Sequence, residues 1–304
     1  MKQTIAGLLI TSVAGAALLA LPASAQQDRF ASVTISTTDL GGGVYMLSGA
    51  GGNMGLSVGE DGAFLIDDQF APLSEKIKAA IAEVSETPVK FLINTHWHGD
   101  HTGGNESFGH DGTTIIAHHN VRTRLSTDQV MEAFGREVKA APEAAWPVIT
   151  FNDEVNFYQN GQEIEVFHVA TAHTDGDALI YFRTADVLHM GDVFFHGSYP
   201  FIDTGSGGSI DGVIAAHEEA LALVGENTKI IPGHGPMATR ADLVATLAMI
   251  KSVRAKVAQT IADGLTLEQA IAADPLAEFN EQWGKGFIKP ESMLRIVYGD
   301  LSTE

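Results

Sequence analysis

Short apolar runs separated by glycine-rich turns fill the first part of the chain. Val33–Ser36, Val44–Ser48, Met54–Val58 and Ala63–Ile66 are predicted strands, with Gly41-Gly42-Gly43, Gly51-Gly52 and Asp61-Gly62 as the turns between them. The period then changes. Ile77, Ala80, Ile81 and Val84 recur at helical spacing over Ser74–Ser85, with Ser74 as N-cap. Val89–Asn94 returns to a continuous apolar strand. Thr114–Ala117 is another, followed by a polar helical stretch to about Lys139 and a loop marked by Pro142 and Pro147. Strands are predicted again over Val155–Phe157, Ile164–His168, Ala178–Phe182 and Val187–His189. Ile210–Val224 is an amphipathic helix and Lys229–Ile231 a strand. Helices close the pattern over Asp242–Ala262, Leu267–Ala273 and Ser292–Leu301.

Strands with a few helices, then strands with helices again, predict an α/β architecture. Two similar halves would pack sheet to sheet with helices outside. The 304 residues, 45% hydrophobic, can fill a sizeable core. Residues 1–25 are expected to lie outside it. Lys2 is followed by the apolar stretch Ile5 to Leu21 and by Ala23-Ser24-Ala25 before Gln26, the layout of a cleavable signal peptide. The working domain is then 26–304, in an exported, periplasmic protein with no membrane contact once the signal is removed. No later stretch is long and apolar enough to span a bilayer.

Composition removes several classes of function. The chain has no cysteine, which excludes disulfides and thiolate-built zinc sites. Its net charge of −20 repels phosphate backbones and anionic membranes, so nucleic acid is not an expected partner. The partner expected is a small-molecule substrate, and a monomer is presumed.

The candidate chemistry is concentrated in Thr95-His96-Trp97-His98-Gly99-Asp100-His101, which puts three imidazoles and a carboxylate within six positions. Neutral imidazole and carboxylate suit zinc. His96 and His98 are two apart in extended chain, so their side chains point the same way and can share one ion. Asp100 and His101 follow Gly99, where the backbone can turn, and are free to face a second ion. Three more candidates fall at later strand ends: His173, Asp192 in His-Met-Gly-Asp-Val, and His234 in Pro-Gly-His-Gly. His196 follows Asp192 on the same loop and is a further candidate for substrate contact. The aromatic and glycine-rich run Phe194 to Gly208 reads equally well as pocket lining or as a packed loop. Asp175 and Asp177 are loop and strand-start residues that could brace His173.

These motifs resemble those of the metallo-β-lactamase superfamily, whose signature is His-x-His-x-Asp-His, and the later His, Asp and His fall in its order. The resemblance implies a four-layer αβ/βα sandwich with a binuclear zinc site at one edge, two Zn2+ per chain. His96, His98 and His173 would hold one zinc; Asp100, His101 and His234 the other; Asp192 would bind the second or bridge both. Asp67, in Ile66-Asp67-Asp68, would buttress the ligands from behind. The glycine-rich segment Met46 to Met54 sits where relatives carry a mobile hairpin over the site, and Met54 in particular would touch substrate.

Two zinc ions lower the pKa of bound water to about 7 and supply a hydroxide nucleophile at neutral pH. Asp100 would orient it and shuttle a proton. The export signal and the motif spacing lead to the expectation of a broad β-lactamase. One departure keeps rivals open. Exported β-lactamases of the similar subclass carry cysteine where this chain has Asp192, and soon afterwards a lysine that grips the substrate carboxylate. Here Val193-Phe194-Phe195-His196 follows, with no lysine, and Lys285 and Lys289 are the nearest alternatives in type. Aspartate at this position is the pattern of glyoxalase II-like thioesterases and lactonases. A lactonase, thioesterase or phosphodiesterase is therefore the alternative, and a non-catalytic zinc-binding protein a more distant one.

Overall fold

Two sheets face each other, and the glycine turns decide where the first one begins. In this computed structural model, which describes residues 29–302, β1 is Ser36–Gly41, three residues later than the strand expected over Val33–Ser36. Its partner β2, Val44–Ser48, pairs antiparallel with Gly41 opposite Val44, so the strand must run directly into the turn. Gly41, Gly42 and Gly43 all have positive φ (87°, 63° and 75°), a backbone path that side-chain-bearing residues resist. The polar Ser-Thr-Thr-Asp of β1 is tolerated because the strand lies at the sheet edge.

The sheet continues through β3 (Met54–Ser57), β4 (Ala63–Ile66), β5 (Val89–Asn94) and β6 (Thr114–His118). Helices α1 (Ser74–Ala82), α2 (Gly99–Thr102), α3 (Asn105–His110) and α4 (His119–Leu125) make the connections. The polar helix expected to reach Lys139 ends at Leu125. A small hairpin replaces its second half, β7 (Gln129–Met131) and β8 (Arg136–Val138), turning at Gly135 with φ of 57°. Asp128 fixes its base by accepting from the Ala140 N–H. Then β9 (Ile149–Phe151) completes a seven-stranded sheet, antiparallel from β1 to β4 and parallel from β4 through β5 and β6 to β9.

The second sheet has five strands: β10 (Glu154–Gln159), β11 (Gln162–His168), β12 (Ala178–Phe182), β13 (Val187–His189) and β14 (Lys229–Ile231). Helix α5 (Ile210–Leu223) precedes β14. Helices α6 (Arg240–Ala262), α7 (Leu267–Ala273), α8 (Ala277–Trp283) and α9 (Pro290–Ser302) follow. Thr239 and Asp242 form a capping box that starts α6. Among the described residues no helix is long and apolar enough to cross a membrane. The signal segment expected over residues 1–25 lies outside the described residues.

Strand periodicity explains the layers. In β12, Ala178, Ile180 and Phe182 point into the space between the sheets, where they meet Phe64, Ile66, Ile93 and Ile116 of the first sheet. Leu179 and Tyr181 point the other way and join Val213, Ala216, Ile250, Val253 and Val297 of α5, α6 and α9. A strand buried on both faces must be apolar throughout, and all five residues of β12 are buried. The expected sandwich of sheets with helices outside is the observed fold.

Candidate metal centre

Chain reversals after β4, β5, β11, β13 and β14 meet at one edge of the sandwich. His96 and His98 leave β5, and Asp100 and His101 belong to α2 directly behind them. His173 comes from the link between β11 and β12, Asp192 from the turn after β13, and His234 from the turn after β14. The seven side chains form two groups: His96, His98, His173 and Asp192, and Asp100, His101 and His234. Within each group, one possible ligand atom per residue lies within 4.8 Å of the others.

Each inward-facing nitrogen is set by what holds the other side of its ring. His98 presents Nδ1, 2.9 Å from His173 Nε2, because its Nε2 lies 2.9 Å from Asp203 Oδ2. His173 is fixed by a contact of 2.7 Å between Nδ1 and the Phe201 carbonyl. His101 has Nδ1 2.7 Å from Asp67 Oδ2, which leaves Nε2 inward. Asp67 is itself held, accepting from the Thr95 N–H at 2.8 Å and the Thr95 hydroxyl at 2.7 Å. These are the outer contacts that orient imidazole ligands. Asp67 also sits at a positive φ of 58°, a conformation costly for a residue with a side chain.

Asp192 lies between the groups. Its Oδ2 is 3.8 Å from His96 Nε2, 3.7 Å from His173 Nε2 and 3.3 Å from His234 Nε2, while Oδ1 is 3.0 Å from His101 Nε2. Space around it is reserved by glycine. A Cβ at Gly233 would lie 2.0 Å from Asp192 Oδ1, and one at Gly52 would lie 2.0 Å from the His101 ring.

The charges are unbalanced in a way that a cation would correct. Burial opposes ionisation of Asp192, but His234 and His101 outweigh it and hold its carboxyl well below the usual range. Burial is likewise outweighed at Asp100, where His101 and His234 bring the pKa down to about 2. In return, Asp192 and Asp100 overcome burial at His234 and push it up to about 9, and His101 is also raised. Burial and the neighbouring His101 hold His96 below its ordinary value. His96 Nε2 is buried without a hydrogen-bond partner, and His101 Nε2 and Asp192 Oδ1, 3.0 Å apart, are in ion contact without hydrogen-bond geometry. Five imidazoles and two carboxylates with orphaned inward atoms fit one or two borderline divalent ions such as zinc. Binding would displace the protons that the site otherwise gathers.

A family model described as the metallo-beta-lactamase superfamily matches residues 48–234. The chain belongs to that superfamily. The match ends on His234, so α6 to α9 lie beyond it. Among curated relatives, a probable metallo-hydrolase YqgX of Bacillus subtilis (strain 168) is 30% identical over 185 residues, 57% of this chain and 83% of its own length. A hydroxyacylglutathione hydrolase of Nitrosococcus oceani is 27% identical over 165 residues, 54% of this chain and 55% of its own. Among solved structures, a metallo-beta-lactamase from Pontibacter korlensis superposes with a TM-score of 0.58 at 19% identity, covering 72% of this chain and 99% of that one. A double mutant of the sec-alkyl sulfatase PisA1 superposes with 0.66 at 18% identity, covering 87% of this chain and 50% of that one. At such identities the likeness is one of fold. The superfamily establishes a metallo-hydrolase.

The remaining candidates separate. Met54, expected to touch substrate, is fully buried in β3 and offers no surface. His196, also expected near substrate, is turned away from the ligands. Phe195 and His234 form a parallel bridge, and alternation along this extended chain stacks the Phe195 ring on His234 with 5.0 Å between centroids. His196 therefore faces outward, with Nδ1 2.9 Å from the Pro236 carbonyl and Nε2 3.7 Å from Asp242 Oδ1. Lys289 donates to the Lys285 carbonyl. The run Phe194 to Gly208 is both lining and packed loop: Phe195 and Phe201 flank His173, and Asp203 grips His98. Asp177 braces the His173 loop through the Thr174 N–H and hydroxyl, whereas Asp175 pairs with Arg124.

Three supports were not singled out from sequence: Asp203, Thr95 and Asn53. Asn53 donates to the Pro232 and Gly235 carbonyls on either side of the His234 turn. The one available signal was position, since Asn53 lies in a glycine-rich turn and Asp203 in the aromatic run.

Proposed function

We propose that this metallo-hydrolase opens activated acyl bonds in small molecules, with lactones or thioesters as its preferred class and β-lactam amides as a second. The observation that carries the reading is Asp192, whose carboxylate reaches side chains of both ligand groups. A hard two-oxygen carboxylate, rather than a thiolate, suits a pair of hydrolytic ions. The 27% identical hydroxyacylglutathione hydrolase supports a thioester. No lysine follows Asp192 to grip a substrate carboxylate, which disfavours a β-lactam as the best substrate.

His96, His98 and His173 would hold one zinc ion and Asp100, His101 and His234 a second, with Asp192 serving both. Bound metal would supply Lewis acidity and a water acidic enough to ionise near neutral pH. The protein does the positioning. Asp100 lies at the open edge, its side chain 27% exposed and Oδ2 3.4 Å from His234 Nε2. It is placed to accept a proton at Oδ2 and to return it to the leaving group. Phe195 and Phe201 set apolar rings against His173 and limit bulk water on that side. The signal-like amino terminus supports an exported enzyme working in the periplasm.

The test is turnover by zinc-loaded protein of an acyl-homoserine lactone, a glutathione thioester, a penicillin, a cephalosporin and a carbapenem, each with and without chelator. Chelator-sensitive lactone or thioester turnover above every β-lactam rate is expected. A β-lactam rate above both reverses the order of classes. Stoichiometric zinc with no turnover of any acyl bond leaves a zinc-binding protein instead.

A further inference from the structure

An aromatic path leads from the ligand rings to the surface. Phe201 is buried and stacks on His98, with 5.8 Å between centroids and 24° between planes, and lies 5.6 Å from His173. Phe134 lies 5.2 Å beyond Phe201, and Phe287 5.7 Å beyond Phe134. These outer rings are 45% and 70% exposed. Eight large hydrophobic side chains are exposed among the described residues, and these two touch each other at the end of a path that starts on two metal-ligating imidazoles.

The rings come from different parts of the chain. Phe134 is at the tip of the β7–β8 hairpin, and Phe287 in the link between α8 and α9. Both excursions rest on the loop that carries Phe201. The hairpin tip packs Glu132 on Gly205, where an added Cβ would lie 3.1 Å from Glu132. The α8–α9 link packs Gly286 on Ser198, where an added Cβ would lie 2.5 Å from the Ser198 Cβ. Loop conformation alone does not require phenylalanine at either exposed position. Two adjacent rings held out in water cost free energy unless something apolar covers them.

We propose that Phe134 and Phe287, backed by Phe201, form a subsite for an aliphatic or aryl arm on the substrate, next to the acyl group that is cleaved. This rests on the hydrolase reading above and narrows it to substrates with a lipophilic substituent. The occupant is inferred from proximity: Phe134 is two ring contacts from His98 and Phe287 three, so they are the exposed apolar surface nearest a chain that adjoins a carbonyl at the metal centre.

Equilibrium binding of straight-chain alkyl hydroxamates, from two to ten carbons, to the zinc-loaded full chain tests the subsite without turnover. Affinity is expected to rise about threefold per methylene until the chain passes Phe287. The Phe134→Ser, Phe287→Ser double variant should flatten that slope to less than half, whereas Tyr158→Ser, an exposed aromatic on β10, should keep it. Circular dichroism and thermal melting check that each variant is folded. A wild-type affinity independent of chain length, or no binding at any length, overturns the subsite. So does an unchanged slope in the double variant, including the case where that variant instead alters self-association in sedimentation. Loss of acyl turnover with the slope intact would sink the hydrolase reading and leave the subsite standing.

Discussion

The two halves of the metal centre are built differently. His96, His98 and His173 are almost fully buried, and each has its outer ring nitrogen engaged, by Thr95, Asp203 and the Phe201 carbonyl respectively. The side chains of Asp100 and His234 are 27% and 30% exposed, and His101 is the one buried member of its group. Without metal, burial and His101 hold His96 below its ordinary value, and burial and His98 bring His173 down to about 4. The second half collects protons under the pull of Asp192 and Asp100. A buried tri-imidazole set already oriented by its outer partners needs little rearrangement to take an ion. The open half must shed protons first. We therefore expect the buried half to bind metal more tightly, and the open half to be the one that a chelator or acid empties first.

The sharpest way to break this contrast is to remove what the halves share. Asp192→Asn should lower kcat/KM by more than about 100-fold, beyond the 10- to 100-fold typical of an outer partner, and should reduce bound zinc by plasma emission spectroscopy. Two bound ions with near-normal turnover would mean that Asp192 bridges nothing. Next come the braces, one per half. Asp203→Asn should weaken the tighter zinc site by about 10- to 100-fold, and Asp67→Asn the weaker one by a similar factor. Competitive titration with a chromophoric chelator resolves the two steps. Both variants weakening the same step would show that the halves act as one.

A separate effect, in stability and not in metal binding, comes from outside the centre and must be subtracted from any acid comparison. His217 on α5 is fully buried against Phe194, and burial pushes it down to about 4 from its ordinary 6.5. A histidine depressed in the folded state contributes stability that is present above 6.5 and lost as pH falls from there to about 4, because the unfolded chain takes up the proton first. The loss attributable to this one group is about 3 kcal/mol. His217→Leu should therefore gain about 3 kcal/mol relative to wild type between pH 7 and pH 4 in urea unfolding. A constant offset across that range would show that His217 does not titrate on unfolding.

The parts of the centre that were legible in sequence are those whose chemistry is local. His96 to His101 declare themselves because their order in extended chain already brings them together. His173, Asp192 and His234 could be placed because each follows a strand, and strand ends in a layered fold share an edge. Asp203 could not be read in this way. Its role depends on a loop folding back onto His98, 105 positions away in sequence. Met54 and His196 failed for a different reason. Both are close in sequence to the site, but all four residues of β3 are buried, Met54 among them, and at 195–196 period-two alternation turns phenylalanine inward. In the fold, the apolar strands β2 to β6 and β10 to β14 were clear, whereas β9 and the β7–β8 hairpin were not, because the three residues of β9 are too few to show a period and the polar hairpin gives neither helical nor strand periodicity a buried face to serve.

The chain changes from the first sheet to the second between Phe151 and Glu154, and that crossing also divides the ligands. His96, His98, Asp100 and His101 lie before it; His173, Asp192 and His234 lie after it. A recombinant that joins the first half of this protein to the second half of a relative would keep each sheet intact yet inherit its metal centre from two parents. The sheets could tolerate such an exchange through interchangeable apolar side chains. The centre could not unless Asn53 matched across the join, since its side chain donates to the Pro232 and Gly235 carbonyls and its backbone N–H to the Gly233 carbonyl, all in the other half.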